Sequence, residues 1–360
     1  MNNVYAVILA GGKGTRFWPL STSKRPKQVL AIAGGKTLLS SSVERLKGLI
    51  PPERTIIITN SEFIESTQKA VPSLPRKNII GEPVGRDTAA ACALAMTIVK
   101  ARDPKGVVYI LTADHVIGDL DIFQATLREG GRIADGSDSI VTIGINPSFP
   151  STGFGYIKAG NKFKSASGVL FKHAERFVEK PDEATARKYV KSGDYYWNSG
   201  MFIWSVSAFE KALKAYQPKL LKMTERLAKY VDTFGFGAQL AKEYSKIQKI
   251  SVDYAIMEKS PDIIVAKGVF KWSDLGSWPA LEEHFAPDGC RNTLVGYCEQ
   301  IESSNNVVMS NERLTALIGV NDMVVVQAED VTLICAKSRA QDVKKMVELL
   351  TAKKTYSHLL

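Results

Sequence analysis

A chain of 360 residues, 45% hydrophobic and 23% charged, has the material for a sizeable buried core, which excludes a disordered or fibrous class. Its net charge of +10 is scattered, apart from basic clusters at Lys24, Arg25 and Lys27 and at Lys344, Lys345, Lys353 and Lys354. With no aromatic interleaving, zinc finger or RNP-like motif beside those clusters, phosphate-bearing small molecules are expected as partners and nucleic acid is not.

The chain opens on an apolar run, Val4 to Ala10, with no basic stretch before it and too short to span a bilayer. The four cysteines (Cys92, Cys290, Cys298, Cys335) show no CxxC spacing. A cytoplasmic protein is therefore expected, with reduced thiols, no signal peptide, no membrane partner and no zinc site. After that first strand come a helix at Leu38 to Leu49, a strand at Thr55 to Thr59, a helix from Thr88 to Lys100 capped by Asp87, and strands at Val107 to Thr112 and Ser139 to Ile145. Strands without alternation, such as Val107-Val108-Tyr109-Ile110-Leu111, suit a sheet covered on both faces. The expected class is α/β, a doubly wound and mostly parallel sheet occupying residues 1–286. Beyond Pro287 the texture changes to short β-rich pieces, Thr293 to Tyr297, Asn306 to Met309, Leu314 to Ile318, Met323 to Val326 and Val331 to Cys335, closed by a helix at Ala340 to Ala352. Residues 287–360 are read as a small β-rich domain with a terminal helix.

The first strand runs directly into Gly11-Gly12-Lys13-Gly14-Thr15-Arg16-Phe17-Trp18-Pro19-Leu20, where an α/β sheet presents ligands at the carboxyl ends of its strands. Glycines there expose backbone N–H groups to an anion. The loop is not a Walker P-loop, and Phe17 stands where a dinucleotide fingerprint needs its third glycine. Arg16 and Lys27 can converge on a polyphosphate, one as a planar fork and the other as a point charge. The segment GGKGTRFWPLSTSKRPKQ resembles the GGxGTRLWPLS...PKQ signature of the nucleotide-sugar pyrophosphorylases, in their guanylyltransferase branch. Phe17 and Val29 depart from it by apolar exchanges. The resemblance implies a Rossmann-like nucleotide-diphospho-sugar transferase domain in which Gly11, Gly12, Gly14 and Thr15 contact the nucleotide and Arg16 and Lys27 are catalytic.

The strand Val107 to Thr112 ends in Ala113-Asp114-His115, which puts Asp114 at a ligand-facing strand end. A carboxylate beside a triphosphate invites Mg²⁺ or another divalent cation, which needs only one or two protein carboxylates. The resemblance pairs Asp114 with Asp274 of Trp272-Ser273-Asp274-Leu275-Gly276. Further motifs follow in family order. Glu82-Pro83-Val84-Gly85-Arg86-Asp87-Thr88 is similar to the base-reading loop and implies Glu82, Gly85 and Thr88 around the guanine nucleotide. Thr152-Gly153-Phe154-Gly155-Tyr156-Ile157, Phe177-Val178-Glu179-Lys180-Pro181, Trp197-Asn198-Ser199-Gly200-Met201-Phe202 and Val252-Asp253-Tyr254-Ala255-Ile256-Met257-Glu258 resemble the sugar-side motifs. They imply Gly155, Glu179, Asn198 and Asp253 around the hexose and a catalytic Lys180 on its phosphate. Side by side on a strand, Glu179 and Lys180 would face opposite ways, so a break in the strand at Lys180 is expected.

The implied reaction joins GTP and mannose 1-phosphate into GDP-mannose and pyrophosphate. Its nucleophile is already an anion, so no general base is required. Two alternatives stand beside it: another sugar-1-phosphate nucleotidyltransferase, such as one using glucose 1-phosphate, and a non-catalytic subunit that binds nucleotide sugar. The β-rich tail resembles a fragment of left-handed β-helix and implies a homo-oligomer, with a dimer favoured. No phosphomannose isomerase activity is expected, because the long extension of bifunctional relatives has no room after Leu360.

Overall fold

The computed structural model describes residues 3–32, 35–165 and 168–360. It separates into two compact units, one of Met1–Gly11, Ser42–Ala113 and Ile117–Trp272, the other of Gly12–Ser41, Asp114–Val116 and Ser273–Leu360.

The first unit is built on a nine-stranded sheet: β1 (Val4–Ala10), β2 (Thr55–Asn60), β3 (Ile79–Glu82), β4 (Val107–Thr112), β5 (Ile140–Ile145), β6 (Tyr156–Phe163), β7 (Phe171–Val178), β8 (Tyr195–Ser205) and β9 (Ile263–Gly268). The order is β3-β2-β1-β4-β8-β5-β9-β7-β6, with β6 also pairing with β8. From β3 to β4 the pairing is parallel, as is β5 with β9, while β8 runs antiparallel to both β4 and β5. In-register pairing of Leu9 with Thr112 and of Ala10 with Thr59 brings the carboxyl ends of β1, β2 and β4 level. That alignment sets Gly11 beside the end of β3.

Helices follow in chain order as α1 (Leu38–Glu44), α2 (Ile64–Ala70), α3 (Thr88–Arg102), α4 (Leu120–Asp135), α5 (Glu183–Ser192), α6 (Val206–Tyr216), α7 (Pro218–Ala228) and α8 (Phe236–Tyr244). The helix expected to reach Leu49 ends at Glu44. Its chain then tightens into bonds from Leu46 N to Val43 O and from Lys47 N to Glu44 O, and Gly48 turns left-handed at φ +76°. Helix α3 is buried without a break from Ala89 to Val99, because it lies between the sheet and the outer helices α6 and α7. Its alanines let the backbone approach closely on every side. Asp87 caps it through Oδ1, which accepts from Thr88 N at 2.8 Å.

The second unit contains β10 (Thr293–Ile301), β11 (Val307–Ile318), β12 (Met323–Gln327), β13 (Thr332–Ala336) and the last helix, α9 (Val343–Ala352). β10, β11 and β12 stack in parallel and β13 closes antiparallel. The two pieces expected at Asn306 to Met309 and Leu314 to Ile318 form one strand, because a register shift between Gly296 and Cys298 of β10 absorbs the irregularity. Buried asparagines tie the coils: Asn306 Nδ2 donates to Asn292 Oδ1 (2.9 Å) and Val320 O (2.7 Å), and its Oδ1 accepts from Met323 N (2.9 Å). These polar groups inside the stack are thereby satisfied by the coil above or below. A second apolar core joins Phe17, Trp18, Leu30 and Ile32 to Leu275, Trp278, Leu281, Val324 and Val343.

Candidate active site

In the second unit the glycine loop turns into a short 3-10 segment, Thr15–Phe17. Gly14 is left-handed at φ +68°, and a Cβ there would lie 2.2 Å from Lys27 Cβ, so only glycine fits. Its carbonyl accepts from Phe17 N (2.8 Å) and Ser21 Oγ (2.6 Å), which fixes the turn. Gly12 has open space where a side chain would stand. Arg16 is exposed at the end of this turn.

Lys27 is buried, with 8% side-chain exposure. Its Nζ donates to Asp114 Oδ2 (3.2 Å) and to the main-chain oxygen of Asp274 (3.0 Å), and it lies 5.2 Å from the centre of the Phe17 ring. Phe17 in turn packs on Trp278, ring centres 4.8 Å apart. The cation expected to face a polyphosphate is therefore held by the Asp114 carboxylate and the main chain of Asp274, the two residues proposed for a metal, which no local pattern announced. Burial works to raise the Asp114 carboxyl, but the charges of Lys27 and His115 prevail and hold it below its ordinary value. At Asp274 burial wins: with Asp114 adding to it and Lys27 opposing, that carboxyl is raised. Its Oδ1 accepts from Gly276 N at 3.0 Å. Two carboxyl groups in mutual repulsion, with oxygen donors only and Asp114 43% exposed, suit a hard divalent cation. Among the described residues no cluster of three or more histidine, cysteine or acidic ligands occurs.

In the first unit, Glu82 ends β3 buried at 6% exposure, its Oε1 without a hydrogen-bond partner and its Oε2 3.5 Å from where a Gly11 side chain would begin. Burial raises its carboxyl to about 7, with the Tyr244 hydroxyl opposing and Asp87 adding. Gly85 opens onto free space. Thr88 uses its hydroxyl to accept from Val252 N (2.8 Å), and Arg86 donates to Tyr244 O (3.0 Å) and Ser245 O (3.1 Å), so the loop is bolted to the chain entering the Asp253 turn.

The sugar-side residues assemble around Asn198 on β8. Its main-chain N–H donates to Gly155 O (2.8 Å), and its Nδ2 donates to Asp253 Oδ1 (2.9 Å). Gly155 has no room for a side chain: a Cβ would stand 2.4 Å from Glu179 Oε2 and 3.4 Å from Asn198 Cβ. β7 ends at Val178, and Lys180 turns left-handed at φ +47°, which lets its ammonium pair with the Glu179 carboxylate. Burial tends to lower Lys180, but its bond to Glu179, with Asp253 nearby, leaves it raised. Burial raises Asp253 to about 7, with the Glu179 charge adding and Lys180 and Asn198 opposing. Sequence reasoning passed over Glu258, whose Oε1 accepts from Glu179 N at 3.1 Å, and Thr142, whose hydroxyl reaches Asn198 Oδ1 at 3.4 Å. Glu258 stood at the end of the Val252 segment and was available as a signal. Thr142, inside a strand, carried none.

Of the proposed residues, Gly11, Glu82, Gly85, Thr88, Gly155, Glu179, Lys180, Asn198 and Asp253 lie in the first unit, and Gly12, Gly14, Thr15, Arg16, Lys27, Asp114 and Asp274 in the second. Residues 5–288 match the nucleotidyl transferase family model, and residues 299–350 that of the mannose-phosphate isomerase/GMP-like β-helix domain. The chain is a nucleotidyltransferase with a C-terminal β-helix-like domain. It is 38% identical over 362 residues to the mannose-1-phosphate guanylyltransferase of Escherichia coli K12, an alignment that spans 99% of this chain and 75% of that protein. The crystal structure of mannose-1-phosphate geranyltransferase from Thermus thermophilus superposes with a TM-score of 0.86 at 34% identity, over 97% of this chain and 99% of the other. That of mannose-6-phosphate isomerase from Helicobacter pylori gives 0.61 at 26% identity, over 75% and 99%. The chain belongs to the mannose-1-phosphate guanylyltransferase family.

Proposed function

We propose that the protein transfers GMP from GTP to α-D-mannose 1-phosphate, giving GDP-mannose and pyrophosphate. Family membership over nearly the whole chain supports the reaction. The observation that supports the assignment of roles is the Lys27, Asp114 and Asp274 cluster beside the glycine loop, where one buried cation bonds to the Asp114 carboxylate and to the main-chain oxygen of Asp274.

A phosphate oxygen of mannose 1-phosphate attacks the α-phosphorus of GTP. The new bond joins that oxygen to the α-phosphorus, the bond to the β-phosphate oxygen breaks, and pyrophosphate leaves with the electron pair. Because the nucleophile is an anion, the residues need only bring two anions together and spread their charge. Lys180 exchanges its bond to Glu179 for the sugar phosphate, which frees Glu179 for a hexose hydroxyl. Asn198, oriented by Asp253, supplies a further hydrogen bond to the sugar, and Gly155, lacking a side chain, lets the Glu179 carboxylate stand against the backbone on the sugar side. Glu82, with an unpaired buried oxygen, is the group we assign to the guanine edge, near Gly85 and Thr88. The backbone of Gly11, Gly12, Gly14 and Thr15 lines the phosphates, where Arg16 and Lys27 neutralise the leaving pyrophosphate. Asp114 and Asp274 would hold a divalent cation, which when bound supplies charge neutralisation on the triphosphate.

Among the described residues no helix is long and apolar enough to cross a membrane. We place the protein in the cytoplasm as a homo-oligomer, with a dimer favoured; light scattering tests the oligomer. Pyrophosphate release from GTP by the purified protein should depend on mannose 1-phosphate; release that ignores the sugar phosphate, or none at all, would refute the reading.

A further inference from the structure

The glycine loop is held from behind by the far end of the chain. Trp18 is 6% exposed, and its indole Nε1 donates to the main-chain oxygen of Leu359 at 2.9 Å. Its own carbonyl accepts from Trp278 Nε1 at 3.3 Å, so the tryptophan is gripped on both sides. Five residues on, Ser23 Oγ donates to the main-chain oxygen of Leu360 at 2.6 Å. The last helix contributes as well: Val343 is buried in the core that contains Phe17 and Trp18, and Val347, Leu350 and Leu360 pack against it. The segment after Trp18 is also tied locally, with Ser21 N donating to Phe17 O (3.0 Å) and Thr22 and Arg25 exchanging main-chain bonds (3.0 and 3.1 Å). A cavity of about 310 Å³ opens there, lined in part by Pro19, Leu20, Thr22 and Arg25 and by His358 and Leu359 of the terminal turn.

We propose that the turn Lys354–Leu359, anchored through Trp18 and Ser23, is a latch that positions the glycine loop for the triphosphate. The path is short. Trp18 follows Phe17 directly, Phe17 N bonds to Gly14 O, and the ring of Phe17 carries Lys27. A displacement of Trp18 therefore moves Arg16, two residues before it, and loosens the seat of Lys27. Trp18 and Leu359 touch no substrate in this scheme; they are positioning residues. Release of the latch weakens the hold on GTP and leaves the mannose 1-phosphate residues unaffected.

This inference rests on the guanylyltransferase reading, and its test separates the two. Two variants are compared with the parent: Trp18→Phe, which keeps an aromatic ring in the core and removes the indole donor, and a chain ending at Lys353. Affinities for GTP and for mannose 1-phosphate are measured separately by calorimetry, with thermal unfolding and amide hydrogen exchange at residues 12–17 alongside. Trp18→Phe should lower GTP affinity on the order of fivefold, the span of one lost hydrogen bond, with the shortened chain lower still. Mannose 1-phosphate affinity should stay within about twofold, and loop amides should exchange faster in both variants. A lower melting point with GTP affinity and loop exchange unchanged would overturn the latch. If the parent fails to bind GTP, the guanylyltransferase reading falls, and loop exchange alone decides the latch: unchanged exchange refutes it.

Discussion

Gly14→Ala is the sharpest single test of the glycine loop, and Gly12→Ala, two residues away, is its control. At Gly14 the left-handed backbone, φ +68°, costs an alanine about 1–2 kcal/mol. The added methyl would stand 2.2 Å from Lys27 Cβ and 3.2 Å from Lys27 Cα. Carbon atoms pack at roughly 3.5–4.0 Å, so one backbone must move by more than an ångström. Overpacking of that kind costs about 1–3 kcal/mol, which brings the sum to about 2–5 kcal/mol. The strain is relieved most cheaply by displacing Lys27 from Asp114 and Asp274, so turnover should fall with stability. At Gly12 nothing lies within 4 Å and φ is not left-handed, so alanine should change stability by less than about 0.5 kcal/mol. If that open space is where the triphosphate lies, Gly12→Ala raises the KM for GTP without lowering the urea midpoint. Urea unfolding and steady-state pyrophosphate release on both variants give the answer. Gly14→Ala within about 0.5 kcal/mol of the parent and with full turnover would refute the close-packing argument.

Lys27→Met removes the cation bonded to the Asp114 carboxylate and the Asp274 main-chain oxygen; divalent-metal affinity, read by Mn²⁺ titration with electron paramagnetic resonance, should rise about two- to fivefold while turnover collapses. Weaker metal binding would contradict the placement of the metal. Arg16→Ala should lower kcat/KM by about 2.7–4 kcal/mol in transition-state terms, with melting nearly unchanged because the side chain is exposed. The Asp253 carboxyl, raised to about 7, gives a stability signature. Between its unfolded value near 3.8 and about 7 the folded state binds the extra proton, so this group's contribution to stability falls as pH rises through that window and is constant above it. Asp253→Asn should therefore lose less thermal stability than the parent between about pH 5 and pH 8; an identical pH slope would contradict the assignment.

Much of this was legible in residues. The strands Val4 to Ala10 and Val107 to Thr112 announced themselves as apolar β-branched runs, and Asp87 marked the start of α3 as a cap. The antiparallel insertion of β8 between β4 and β5 was not announced, because a strand's direction depends on its connections and not on its composition. The packing of Phe17 and Trp18 on Trp278 was equally hidden, since partners 260 positions apart leave no local pattern. At the site, strand ends and glycines pointed to Asp114 and Gly14. The burial of Lys27 against the Asp114 carboxylate and the Asp274 main chain did not follow, because a lysine in a loop is ordinarily solvated. Nor did the raised carboxyls of Glu82 and Asp253, which arise from desolvation that only the folded chain imposes.

The central claim is tested most directly by a panel in which GTP, ATP, UTP and dTTP are each offered with mannose 1-phosphate and with glucose 1-phosphate, products being identified by chromatography. GTP with mannose 1-phosphate should give GDP-mannose and pyrophosphate at the highest kcat/KM. A clear preference for dTTP with glucose 1-phosphate, or no nucleotide sugar from any pair, would contradict the account.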